Sequence, residues 1–261
     1  MDGLIIISGV SIAFIIFQLI FPYKPPKNSD FSKLEENKKR FSRLEGMAVL
    51  WIFLSIGLIS FFVFILGANL RDNFFPSDYD YIMKPSNSFW FLPGFILGFG
   101  FLRIPMDFIY KLYLKGDYDL YKQFTNMKHG FDGEKVWRPL ELIFSIVGIA
   151  FFILGLNWFV RIDNNNQIEI SELFDLKTRT YKIENITSIS HSDIYITKKG
   201  NTKNIDHYVI EMNDNYEWSS HVYGFFAIEN DKEFIDGKMA ELSRKTGLII
   251  NEVRKPNILY K

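Results

Sequence analysis

The chain has 261 residues, with 30 Lys and Arg against 30 Asp and Glu, so its formal net charge is zero and no global basicity argues for a nucleic acid partner. It contains no Cys, which excludes disulfides, thiolate nucleophiles and Cys-ligated zinc or iron–sulfur sites, and is compatible with either side of a membrane. Phe is frequent, at 27 residues, and the apolar residues fall in long runs with the charges between and after them, which is membrane-like patterning.

The first apolar run covers residues 4–21. A secretory signal starts with Lys or Arg and ends in a small-residue cleavage site. Here Met1-Asp2-Gly3 precedes the run and Ile20-Phe21-Pro22 closes it. The basic residues follow: Lys24, Lys27, Lys33, Lys38, Lys39, Arg40 and Arg43. The positive-inside rule therefore predicts a retained anchor with its N-terminus outside. Pro25-Pro26 ends that helix, and Asp30 is placed to cap an amphipathic one carrying Phe31, Leu34, Phe41 and Leu44. This second helix either rests its basic face on anionic lipid or extends the next span inward.

Residues 47–68 form the longest uncharged run and a second span. Residues 69–87 are poor in Lys and Arg and read as an outside loop. The third run, 88–106, holds Pro93, Gly94, Gly98, Gly100, Arg103 and Pro105. An Arg at a helix centre costs about 2.5–3.5 kcal/mol on the insertion scale, and each Phe, Leu or Ile returns about 0.3–0.6. The apolar residues between Phe89 and Ile104 offset that cost, so a span is expected; a re-entrant hairpin broken at Pro93-Gly94 is the alternative. Gly94 and Gly98 make a small-xxx-small face that another helix could approach.

Residues 107–138 read as a second basic loop, with Lys111, Lys122, Lys128 and Arg138 interleaved with Tyr110, Tyr113, Tyr118 and Tyr121, a mixture suited to the membrane interface. The fourth run, 140–160, can cross a hydrocarbon core about 30 Å thick at about 1.5 Å per residue. Arg103 and Glu141 then fall at similar depth and form a candidate intramembrane pair, a functional hypothesis by default. Four spans put both termini outside, with Trp51 and Trp137 at the inner interface and Trp90 and Trp158 at the outer one, as an aromatic belt. A re-entrant third run would instead place the C-terminal domain in the cytoplasm.

From Arg161 the apolar period becomes two. A hairpin turns at Asn164-Asn165-Asn166. Further strands are expected at 178–183, at 186–190, around Ile194 and Ile196, and through Tyr208, Ile210 and Met212. Asp214-Asn215 is a tight turn, and Tyr216, Trp218 and Ser220 return. A last helix, capped by Asn230 and Glu233, presents Ile235, Met239 and Leu242 and ends near Gly247. Leu248-Ile249-Ile250 adds a strand or a packing strip. The expected fold is thus an α-helical transmembrane bundle of about four spans in residues 1–160. A small mainly-β barrel or sandwich follows in residues 161–255, closed by a C-terminal helix.

Segments 181–189, 208–214 and 234–250 give this tail an order of elements that resembles the bacterial pleckstrin-homology-like domains attached to membrane helices. The resemblance covers the last third of the chain. It implies a lipid- or protein-binding module, and it carries no catalytic residues over. Lys198, Lys199 and Lys203 are the dense basic cluster that such a module would present to lipid; a solvated turn is the plain alternative.

The histidines, His129, His191, His207 and His221, are scattered, and His-Glu-x-x-His, Walker and Gly-x-Ser-x-Gly motifs are absent. The reading is a multi-pass cell-membrane protein, not an enzyme and without a cofactor, whose C-terminal domain faces outside. Membrane lipids, and a protein bound by the tail, are its expected partners. The rivals are a small transporter or channel component with Arg103, Glu141 and Asn157 along a polar path, and a membrane-bound lipid-acting enzyme using residues 107–138.

Overall fold

A computed structural model describes residues 12, 14–27, 31–76, 79–163, 165–175, 177–196, 202–220 and 232–253. The chain divides into two compact units, one of residues up to Val63 plus Leu92–Ala150, the other of Phe64–Phe91 plus everything from Phe151.

In the first unit, helix α1, Phe31–Phe74, joins the basic segment and the second apolar run without interruption; its last residues belong to the second unit. No Pro lies within it, and each of its glycines costs only about 1 kcal/mol. The basic segment is therefore a helical extension of the second apolar run. Leu34, Phe41 and Leu44 bury as the spacing predicts, but Phe31 is exposed. Asp30, the expected cap, lies outside the described residues.

The third run is two helices, α2 (Phe91–Gly100) and α3 (Arg103–Leu114), broken at Phe101-Leu102, where the longer segments Asn87–Gly100 and Arg103–His129 meet at 48°. The break is not at Pro93-Gly94. Pro93 sits in the first turn of α2, where a missing N–H costs nothing. Pro105 is the disruptive one: it cannot donate to Phe101, whose carbonyl instead accepts from Ile104 N at 3.1 Å.

Residues 107–138 are mostly helical rather than a loop. A short 3₁₀ turn, Lys115–Asp117, links α3 to α4, Tyr118–His129. Helix α5, Gly133–Leu156, begins earlier and ends earlier than the expected 140–160. Asp132 sets its start, accepting from Glu134 N at 3.2 Å and Lys135 N at 3.4 Å. Pro139 is carried inside it.

α1 and α5 are long and apolar enough to cross a membrane, and the bent pair would be a third crossing. Of the first run, residues 14–20 are helical, and residues 1–11 and 13 lie outside the description. Phe14 and Phe17 meet Phe131 edge-on, at 5.6 and 5.7 Å. Tyr23 N donates to Gly130 O and Asp132 N to Phe21 O, which fixes the end of this segment to the α4–α5 link.

α2 runs antiparallel to both long helices. A Cβ on Gly94 would lie 2.9 Å from Ser60 O, and one on Gly98 2.9 Å from Ile56 Cγ2. One on Gly100 would lie 2.5 Å from Ser145 Oγ, and one on Gly148 2.6 Å from Leu97 Cγ. The small-residue face is thus filled from within the chain. A second cluster holds the basic end together: Leu34, Phe41 and Leu44 of α1 pack on Leu114, Tyr118 and Tyr121.

The second unit is built on two four-stranded sheets, ordered β1-β2-β3-β4 and β7-β6-β5-β8. Strand β1, Asp80–Met83, comes from the loop between the second and third runs. β2 (Phe159–Ile162) and β3 (Gln167–Ser171) form the expected hairpin, pairing Val160 with Ile170 and Ile162 with Ile168. Asn166, at φ 57°, supplies the left-handed turn residue. β4 (Arg179–Lys182) completes the sheet. β5, Ile186–Ile196, is one long strand where the sequence suggested two, with register shifts at Ile186–Ser188 and Ser192–Ile194 against β6, Thr202–Met212. β7 (Glu217–Ser219) follows the Asp214-Asn215 turn. Helix α6, Lys232–Thr246, ends at Gly247, whose φ of 71° is the left-handed C-terminal cap. β8, Ile250–Glu252, then lies parallel to β5. Asn230 lies outside the described residues, as does the side chain of Glu233.

One core joins both sheets. Ile82, Val160, Ile168, Ile189, Ile210 and Trp218 meet there with Met239 and Leu242 of α6. The ends of the long helices enter it too, through Phe64, Phe152 and Leu156. The β unit is therefore wider than residues 161–255. The same core corrects the aromatic-belt reading: Trp90 and Trp158 are 0% and 1% exposed and are core residues, not interfacial rings. Trp90 lies 5.3 Å from Phe89 and 5.1 Å from Phe152, and an added Cβ on Gly67 would fall 2.4 Å from its ring. Residues 159–160, expected at the end of a span, begin β2 instead.

Candidate functional site

The bend after α2 places Arg103 at the first position of α3. From there Arg103 Nε meets Glu141 Oε2 of α5 at 3.1 Å, and Arg103 Nη1 lies 3.6 Å from Glu134 Oε1. The pair expected from sequence depth is thus formed. It belongs to a larger network. Arg138 donates to Glu134 at 2.5 Å, one helical turn along α5. Tyr118 Oη donates to Asp107 Oδ1 at 2.6 Å, tying α4 to α3.

All of these groups but Glu141 line a cleft of about 430 Å³ between α3, α4 and the start of α5. Its walls carry Arg103, Lys111, Lys122 and Arg138 against Asp107, Asp119 and Glu134. Lys122 pairs with Asp119 at 3.4 Å and sits 4.8 Å from the Tyr118 ring centre. Lys111 sits 5.5 Å from the same ring and has no carboxylate partner among the described residues. Residue type alone marked this stretch as basic and aromatic. Which of its lysines converge was set by the α3–α4 turn: Lys115 adopts φ 50°, a backbone state that periodicity does not report.

The basic end of the unit is cross-braced. Arg40 donates to Asp117 at 2.8 Å. Glu45 accepts from Lys128, and His129 Nε2 lies 3.5 Å from its other oxygen.

Lys198 and Lys199 lie outside the described residues, and Lys203 is placed only as a β6 residue opposite Tyr195. His191 Nδ1 lies 2.9 Å from Glu252 Oε2, and its ring lies 4.6 Å from that of Tyr208. The link is between neighbouring strands and 61 residues apart, so adjacency in sequence could not find it. Asn157 donates to Ser171 Oγ at 3.0 Å inside the β unit. Among the described residues, no group of three His, Asp or Glu is placed to hold a metal ion.

Exposed on the β unit is a short aromatic and charged ladder. Tyr181 and Tyr216 stack at 5.9 Å, Arg179 covers Tyr216 at 4.4 Å, and Tyr181 Oη donates to Asp214. Arg179 also donates to Asp175 at 2.9 Å. The Lys177 N–H, followed by Arg179, holds the Asp175 carboxyl below the usual carboxylate range.

No family model, no curated protein and no solved structure matches this chain.

Proposed function

We propose that this chain is a multi-pass membrane protein, not an enzyme, whose β unit is a pleckstrin-homology-like module that engages a protein or lipid partner at the membrane surface. The carrying observation is that the module's core takes in Phe64 of α1, Phe152 of α5 and Trp90 between them. A binding module whose own core includes the ends of two apolar helices is anchored at a bilayer by them, and needs no catalytic group to act there. The β1–β4 sheet, the β5–β7 meander and the helix after it support the pleckstrin-homology-like reading. The antiparallel course of α2 along α1 and α5 supports counting the third run as a crossing, which with the first run makes four. In that topology the β unit lies outside the cytoplasm.

The test uses the full chain in cells, with a photocrosslinking residue at exposed strand positions such as Thr180, Lys182 or Glu217. The expected result is a saturable adduct of defined mass, protein or lipid, from a subset of positions. Absence of any adduct across the exposed strand positions overturns the proposal. A reporter fused at Lys261 checks the side: an export-dependent reporter should be active and a cytosol-only reporter silent, and the reverse pattern refutes the outside placement.

A further inference from the structure

We propose that the cleft between α3, α4 and the start of α5 binds the phosphate of an anionic phospholipid headgroup, with α3 lying in the leaflet surface beside it. Three observations converge. The 48° bend turns the chain at Phe101-Leu102, where the apolar run gives way to a helix of mixed polarity. Along α3, Ile104, Phe108 and Leu112 recur every four residues and are 67%, 63% and 62% exposed, a bare apolar stripe. An amphipathic helix with such a stripe settles its apolar face into the headgroup–acyl boundary.

The neighbouring face of α3, with Arg103, Asp107 and Lys111, lines the cleft, and Ile104 belongs to both. A ligand in the cleft therefore has an apolar stripe at its rim, which suits a lipid and is of no use to a free phosphate. Four cationic side chains face three carboxylates on the wall. One of those carboxylates, Asp107, accepts from Tyr118. Lys111, without a carboxylate of its own among the described residues, is the cation left to meet a headgroup. A phosphate oxygen between Lys111 and Lys122 would gain two charge-assisted bonds in a partly desolvated site. This site lies wholly in the first unit, so it stands or falls apart from any role of the β unit.

The experiment is native mass spectrometry of the full-length protein in detergent supplemented with phosphatidylglycerol or phosphatidylcholine. Retention of phosphatidylglycerol over phosphatidylcholine is expected. Lys111→Ala with Lys122→Ala should weaken it about thirtyfold, from about 1 kcal/mol per lysine near an anionic lipid surface. Lys24→Ala with Lys27→Ala should leave it unchanged. Equal retention of both lipids, or an unaffected Lys111/Lys122 double variant, overturns the proposal. Displacement of phosphatidylglycerol by inorganic phosphate at equal affinity assigns the site to a free anion and also overturns it. Should the double variant not fold, a salt series on the unaltered protein decides: retention must fall as salt rises, and salt-independent retention refutes the site.

Discussion

Truncating Trp90 separates a core ring from an interfacial one. Trp90 is 0% exposed, packed by Phe89 at 5.3 Å and Phe152 at 5.1 Å, and Gly67 and Gly155 lie against it. A Trp buried this way removes about 150–250 Å² from solvent. Trp90→Ala should therefore cost about 3–5 kcal/mol, the range for large aromatic truncations in a packed core. Spread over a unit of this size, that lowers the melting temperature by roughly 10–20 °C. Trp90→Phe is the informative partner. The indole Nε1 is buried with no hydrogen-bond partner among the described residues, so Phe keeps much of the ring packing and removes that donor. The Phe variant should thus retain most of the stability, within about 1.5 kcal/mol of the parent. The assay is thermal unfolding of the full-length protein in detergent, with Trp137→Ala as reference, since Trp137 is 52% exposed. If Trp90→Ala melts no lower than Trp137→Ala, the ring sits in lipid headgroups and the β core as described is wrong.

Three other outcomes are expected. Gly98→Leu drives a side chain into Ile56, whose Cγ2 would lie 2.9 Å from the new Cβ, and should destabilise by about 1–3 kcal/mol in the same melt; an unchanged melting temperature would mean α2 does not lie on α1. Arg103→Glu and Glu141→Arg should each lower stability by about 1 kcal/mol, modest because Arg103 is half-exposed, and the double reversal should recover part of the loss; no recovery would dissolve the pair. Acid should weaken the β unit through depressed carboxyls: Asp175 by the Lys177 N–H, Asp214 by the Tyr216 N–H and Glu241 by Lys245. Depressed carboxyls contribute stability above their unfolded pKa and lose it as pH falls through the folded value, so the decline should start below about pH 4. Asp175→Asn and Asp214→Asn should flatten it, and a decline already complete at pH 5 would assign the loss to other groups.

The parts of the architecture that sequence conveyed well are those ruled by period and by hydrocarbon length. The hairpin of Val160 and Ile170, the strand through Ile210, and the face of Met239 and Leu242 all follow from spacing alone. What it could not convey is who fills whose space. Asp80-Tyr81-Ile82-Met83 is only four residues long and sits among Asp and Pro, so it reads as loop; pairing with β2 makes it a strand. Trp90 and Trp158 stand near the ends of apolar runs, where lipid headgroups and a packed β core make the same demand on composition. At the candidate site, the Arg103–Glu141 pair was legible because both charges interrupt apolar runs. The cleft around it was not, since its shape depends on the turn at Lys115-Gly116.

With Trp90 and Trp158 buried, the expectation of orientation rests on Lys and Arg alone, and the packing gathers those residues together. The basic extension of α1 and the α3–α4 hairpin are bound to each other by Arg40–Asp117 and Lys128–Glu45 and by the Phe41–Tyr121 cluster. They form one positively charged layer rather than two loops whose sides must be argued separately. α5 begins at Gly133 beside that layer, since Arg138 and Glu134 share the cleft with Lys111. The positive-inside rule then acts on the layer as a whole.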